Sequence, residues 1–181
     1  MGAMVGMDYE RGLSMLKDYV ETGSVQSRLD FPGVERVPGC NYVGIRTVCA
    51  IADISDAMSA DIHKLTDLLG PSALVKSFSI YHKWDMVKGI CEYTAGCDVD
   101  TPPPHMPEGF FVGKFPECNA YKVVHTGPYR HLGNAWSAGM MHGRAKVFKQ
   151  SKKLHPFETY GNSPKDTPEN ELITNIYFPV A

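Results

Sequence analysis

The sequence predicts an α+β fold: duplicated βαββ units with pseudo-twofold symmetry, antiparallel sheets and two main helices. Three observations carry this. The expected elements run strand, helix, strand, strand, and then repeat that order. An amphipathic helix falls at the same place in each run. Short identities also recur at intervals of about 80 residues, the mark of an internal repeat. Cys40-Asn41-Tyr42 is echoed by Cys118-Asn119-Ala120-Tyr121, and Phe78-Ser79-Ile80-Tyr81 by Phe157-Glu158-Thr159-Tyr160. Ile90-Cys91-Glu92-Tyr93 falls opposite Ile173-Thr174-Asn175-Ile176. The domain is expected over 38–181, with halves of about 38–100 and 108–181. Residues 1–37 form an N-terminal helix and a connecting segment.

In chain order, Asp8–Thr22 is a helix with Leu13, Leu16 and Val20 on one face and Gly23 as its stop. Ser24–Gly39, with Pro32 and Pro38, is a connector. Asn41–Ala52 is a strand carrying Val43, Ile45, Val48 and Ile51. Ser55–Leu69 is an amphipathic helix, N-capped by Ser55, with Met58, Ile62, Leu65 and Leu69 as its buried stripe. Ala73–Trp84 and Met86–Tyr93 are strands, and Asp98–Pro107 is a Pro-rich crossover. Gly109–Thr126 is one strand or two, broken near Pro116. Pro128–Val147 is the second main helix. Pro128 sits at its first position, and Leu132, Trp136 and Met140 line one face. Pro156–Tyr160 and Leu172–Val180 are the last strands.

The 181 residues suffice to bury a core. A net charge of −2 gives no case for nucleic acid or an anionic membrane. No apolar run approaches the ~20 residues of a membrane span, and no leader peptide is evident. The first segment is too short for a helix-turn-helix domain. Five scattered cysteines without a C-x-x-C pair suggest neither a disulfide framework nor a structural zinc site, and fit a reduced cytoplasm. His125, His131 and His142 lack carboxylate or Cys partners at ligand spacing, so no metal is expected. No dinucleotide or phosphate-binding loop appears, so no cofactor is expected.

His125-Thr126-Gly127-Pro128-Tyr129, leading into an amphipathic helix, resembles the H-x-G-P-Y signature of the GyrI-like small-molecule-binding domains. Pro156-Phe157-Glu158-Thr159-Tyr160 resembles that family's P-x-E-x-Y strand. Thr174-Asn175-Ile176-Tyr177-Phe178-Pro179 resembles its last strand, where Asn175 replaces the usual Glu. The resemblance covers about Pro38 to Ala181. It implies a duplicated βαββ domain with a ligand cleft between the halves, which binds hydrophobic, aromatic, often cationic compounds as a stand-alone multidrug-binding, sensing or sequestering protein. Two alternatives follow from the same family. One is hydrolysis of cyclopropane-bearing DNA-alkylating compounds, with Glu158 and Tyr129 as the catalytic pair. The other is a protein-interaction role such as gyrase inhibition, with the protein partner unspecified.

An acid among aromatic rings suits a flat organic cation, because ring faces and a partly desolvated carboxylate both attract positive charge. The expected ligand-binding set is Trp84, Glu92, Tyr129, Trp136, Glu158, Tyr160, Asn175 and Tyr177. Period two puts Glu158 with Tyr160, and Asn175 with Tyr177. Both pairs are assigned to the cleft. Core packing competes for Trp136, which lies on the main helical stripe. An exposed edge position competes for Glu158, and a solvated strand position for Glu92.

Overall fold

The computed structural model describes residues 2–181. Three helices and eight strands make an α+β fold: α1 (Gly2–Thr22), β1 (Arg28–Val37), β2 (Cys40–Ala50), α2 (Ile54–Leu69), β3 (Ser77–Asp85), β4 (Ile90–Asp98), β5 (Phe111–Phe115), β6 (Cys118–Thr126), α3 (Gly133–Arg144), β7 (Phe157–Tyr160) and β8 (Ile173–Pro179). The strands form one sheet in the order β1-β6-β8-β7-β3-β4-β2-β5, with every neighbouring pair antiparallel. The expected sheets are therefore a single continuous one. Matching β2, β3 and β4 with β6, β7 and β8 makes this order read alike from either edge. The two βαββ runs meet at β3 and β7.

The ladders refine the internal repeat. Ser79 pairs with Glu158, and Phe78 with Thr159. The alignment of Phe78–Tyr81 with Phe157–Tyr160 thus maps the β3–β7 ladder onto itself. In the next ladders Tyr81 pairs with Tyr93, and Tyr160 with Thr174. Tyr93 therefore corresponds to Thr174 rather than to Ile176. This corrects the sequence alignment by two positions, and Glu92 is not the counterpart of Asn175.

Both α2 and α3 lie on the same face of the sheet, α2 over β2 and β4, α3 over β6 and β8. Under α2 pack Val43, Ile45, Cys91, Tyr93 and Ala95, met by Met58 and Leu65 of the helix. Asp61 of α2 is buried there and accepts hydrogen bonds from Thr47 (2.6 Å), Tyr93 (2.9 Å) and Lys64 (2.9 Å), which offset the cost of burying its charge. Under α3 pack Tyr121, Val123, Ile176 and Phe178. The opposite face carries its own aromatic cluster of Tyr42, Phe78, Phe115, Phe157 and Tyr177.

Several expected elements change. The supposed connector Ser24–Gly39 contains β1, despite Pro32 and Gly33. It is an edge strand, and its register shifts between Asp30 and Gly33, so proline's missing N–H breaks no central ladder. The domain start expected at residue 38 thus falls after a strand of the same sheet. Ala73 belongs to a 3-10 turn (Pro71–Ala73) that precedes β3, and Met86–Gly89 form the turn before β4. Ser55 does not cap α2, which starts at Ile54 after a 3-10 turn and has no side-chain cap. Pro128 is extended (ψ 146°) and precedes a 3-10 turn, Tyr129–His131, so the second helix begins only at Gly133. The expected Leu132–Trp136–Met140 stripe is buried only in part: Leu132, just ahead of α3, and Trp136 pack half-buried against the core. The buried residues of α3 are Ala135 and Gly139, and Met140 is exposed. Gly139 lets the helix sit directly on Phe178, where a Cβ would come within 2.1 Å of the ring.

Candidate ligand-binding site

Between the two helices, β3 and β7 form a strip of sheet that neither helix covers. The side chains it presents on this face are Ser79, Tyr81, Glu158 and Tyr160. Glu158 is at its centre and only 2% exposed. Its Oε1 accepts hydrogen bonds from Tyr81 (2.7 Å) and Tyr160 (2.9 Å). Its Oε2 accepts one from the Trp136 indole of α3 (3.1 Å). Ser79 Oγ lies 2.8 Å from the Tyr160 hydroxyl and 2.9 Å from Met58 Sδ of α2. Burial raises the Glu158 pKa above the usual glutamate value, and the three donors oppose that rise. Burial beside this carboxyl pushes the Tyr81 and Tyr160 phenols well above their usual value, so both stay protonated as donors.

Aromatic rings surround the acid. Tyr81 meets Trp136 edge-on at 4.9 Å, and Trp136 meets Phe178 at 5.5 Å. Tyr129 lies 6.2 Å from Tyr160, and Trp84 6.2 Å from Tyr81. Tyr129 (38% exposed) and Trp84 (44%) are the rings of this set that face solvent. Strict alternation would put Trp84 on the far face, with Phe78 and Ile80. A bulge between Tyr81 and Lys83 adds a residue, and Trp84 then pairs with Cys91 on the helix side.

The H-x-G-P-Y corner holds Tyr129 at this rim. Gly127 has φ 142°, and a Cβ there would lie 2.2 Å from the Gln26 carbonyl oxygen. Only glycine fits both demands. His125 is buried and bonds Ser27 Oγ through Nε2 (3.1 Å). His131 and Arg130, in the turn begun by Tyr129, bond Asp18 of α1 at 2.5 and 3.3 Å. His142 bonds the Tyr121 hydroxyl (2.7 Å). Among the described residues, no group of three or more His, Cys, Asp or Glu side chains is placed to hold a metal, and no helix is long and apolar enough to cross a membrane.

Of the expected residues, Trp84, Tyr129, Trp136, Glu158 and Tyr160 come together. Asn175, Tyr177 and Glu92 do not, which corrects the expectation of one convergent cleft. Asn175 pairs with Thr159 and Tyr177 with Phe157, so both point to the far face. There Tyr177 stacks on Phe157 (4.8 Å), and the amide of Asn175 contacts Thr159 Oγ1 (3.3 Å). Glu92 is held by Arg46 at 2.7 Å, which lowers its pKa. The sequence reading missed Tyr81 and Ser79. The signal was present, because the repeat places Tyr81 opposite Tyr160 and Ser79 opposite Glu158. Open hollows lie elsewhere, about 240 Å³ beside Val25–Arg28 and about 600 Å³ along Gly143–Gln150, and neither is lined by an acid.

The model of the GyrI-like small molecule binding domain matches residues 32–181. This chain belongs to the GyrI-like family. Solved structures of similar fold include EcmrR in its DNA complex (TM-score 0.68, 17% identity), matched over 98% of this chain and 66% of that one. The chain thus spans about two thirds of that protein's length. The isolated EcmrR C-terminal domain (TM-score 0.66, 19% identity) is matched over 86% of this chain and 98% of that domain. SAV2435 bound to tetraphenylphosphonium (TM-score 0.63, 15% identity) is matched over 84% of this chain and 94% of that one. No curated protein matches the chain. Within this GyrI-like domain, the aromatic strip around Glu158 is the candidate site.

Proposed function

We propose that this GyrI-like protein captures hydrophobic aromatic cations over the β3–β7 strip, with Glu158 as the charge partner. The observation that carries the reading is one buried carboxylate held by two phenols and an indole, with further rings at the rim. A cation beside it gains from the carboxylate and from ring faces together. Exclusion of water strengthens both. The bound tetraphenylphosphonium of SAV2435 supports the same ligand class. Trp136 and Tyr81 touch across the strip, so a ligand enters by turning these rings aside, with Tyr129 and Trp84 making first contact. We assign the protein a sensing or sequestering role in the cytoplasm, with 38–181 as the core of the ligand-binding unit.

The test is a titration with tetraphenylphosphonium and with neutral triphenylphosphine oxide. Tighter binding of the cation, lost in Glu158→Gln, supports the reading. Equal affinities in wild type and variant sink it. A carboxyl with a raised pKa flanked by Tyr129 also suits the hydrolase alternative. Incubation with a cyclopropane-bearing aromatic substrate, followed by product analysis, separates capture from ring opening.

A further inference from the structure

The N-terminal helix presents an apolar seam to solvent. Tyr9, Leu13, Leu16 and Val20 are between 57% and 75% exposed. Their spacing of 4, 3 and 4 residues puts them on one line along the helix, the repeat of a coiled-coil seam. The opposite face of α1 is the one that docks. Asp18 bonds His131 and Arg130, Met15 receives the Asn134 amide (3.5 Å), and Arg11 donates to the Gly133 carbonyl (3.2 Å). The helix is therefore fixed to the domain with its apolar line outward.

We propose that this seam pairs with α1 of a second copy of the chain, antiparallel. The flanking residues decide both partner and direction. Glu10 and Lys17 lie along one side of the seam, Gly12 and Tyr19 along the other. In an antiparallel pair Leu13 faces the second copy's Leu16, and Tyr9 its Val20. That register brings Glu10 against Lys17 twice by symmetry. It also sets each Tyr19, 59% exposed, over the second copy's Gly12, where nothing lies within 4 Å of a would-be Cβ. A parallel pair places Gly12 beside Lys17 and leaves Glu10 without a basic partner. The same patch is thus self-complementary, as a twofold interface requires. A seam of about three turns buries on the order of 1,000 Å² in total, the low end for a specific interface, so the dimer forms in the micromolar range.

The test is sedimentation of the whole chain over about 1 to 200 μM, a window around that affinity. Wild type is expected to pass from one-chain to two-chain mass. Leu13→Glu/Leu16→Glu is expected to stay at one-chain mass, with circular dichroism and melting unchanged at about 1 μM, where wild type is also a single chain, because both side chains are already in solvent there. Glu10→Lys or Lys17→Glu alone should weaken association about fivefold, and the double swap should restore it. A one-chain mass for wild type throughout, the result if another protein or further residues of a longer chain fill the seam, overturns the proposal. So does a Leu13→Glu/Leu16→Glu protein that dimerises like wild type. Failure of the double swap to rescue overturns the antiparallel register.

Discussion

Ser79 and Glu158 are direct partners across the β3–β7 ladder, at the middle of the eight-stranded sheet. Two residues further along each strand stand Tyr81 and Tyr160, and both donate to Glu158 Oε1. The repeat thus supplies a matched pair of phenols around its centre, while the central pair itself is unlike. One partner is a carboxylate and the other a hydroxyl. A single buried charge results, already met by protein donors before any ligand arrives.

Charge selectivity follows from that single acid. Glu158→Gln is expected to lower the cation-to-neutral affinity ratio about tenfold, the scale of a partly desolvated charge contact. Asn175→Glu, which adds a carboxylate to the far face of the sheet, is expected to leave the ratio unchanged. Isothermal titration with the cationic and neutral probes reads both. A changed ratio in Asn175→Glu would put that residue back in the site.

Cation affinity should depend on pH. Burial raises the Glu158 pKa, so its carboxyl protonates at higher pH than an exposed glutamate. A protonated acid offers no charge. Affinity for the cation is expected to hold at high pH, to fall as pH drops through the raised pKa, and to level off about tenfold lower, near the affinity of Glu158→Gln. The neutral probe should show no such fall, and Glu158→Gln should abolish it. Titrations from pH 8 downward, as far as the fold holds, give the profile.

The two phenols can be weighed separately. Tyr81→Phe and Tyr160→Phe each remove one donor to the carboxylate, worth about 1.5 to 3 kcal/mol for a charged acceptor. Each is expected to shift the acid limb of the cation profile to higher pH. If the sequence repeat reflects equivalent roles, the two shifts are similar in size. A shift with Tyr160→Phe alone would confine the function to the second half.

Element order was legible because period-two and period-3.6 patterns survive in β2, α2, β6 and β8. The edge strand β1 was not, since Pro32 and Gly33 read as breakers and only the sheet order shows that no central ladder needs their N–H groups. The acid, Tyr129 and Tyr160 were legible from short motifs, and Trp136 from the helical stripe that follows the first of them. The convergence of Asn175 and Tyr177 with them was not. Face assignment needs the register of β7 against β8, and Glu158 pairs with Ile176 rather than with Asn175. Trp84 reached the right face through a bulge that alternation alone does not reveal.

Gly127 is a sharp stability position. Its φ of 142° is closed to other residues, and any Cβ meets the Gln26 carbonyl. Gly127→Ala is expected to cost about 3 kcal/mol or more in urea unfolding and to disturb the Tyr129 rim with it. Gly12→Ala, at a helical glycine with open space, should be neutral or slightly stabilising in the same assay at about 1 μM, where the chain is single.

The last prediction concerns acid. His125 is fully buried, and burial, with help from nearby His131, lowers its pKa from 6.5 to about 4. Between those values the unfolded chain takes up a proton that the native chain refuses. Acidification therefore favours unfolding. The contribution is fully present above pH 6.5, is lost progressively as pH falls toward 4, and levels off below. A shift of this size corresponds to about 3 kcal/mol at most. Carboxylates also titrate in the lower part of the window, so wild type alone does not isolate the histidine. His125→Gln keeps a polar side chain near Ser27 and has nothing to titrate. Its stability relative to wild type should be poorer at pH 7 and should close by about 2 kcal/mol at pH 4.5. Urea unfolding of both proteins at the two pH values measures the closing. If the gap stays constant, His125 binds its proton as readily in the folded chain as in the unfolded one, and the burial that holds the H-x-G-P-Y corner is not what suppresses its charge.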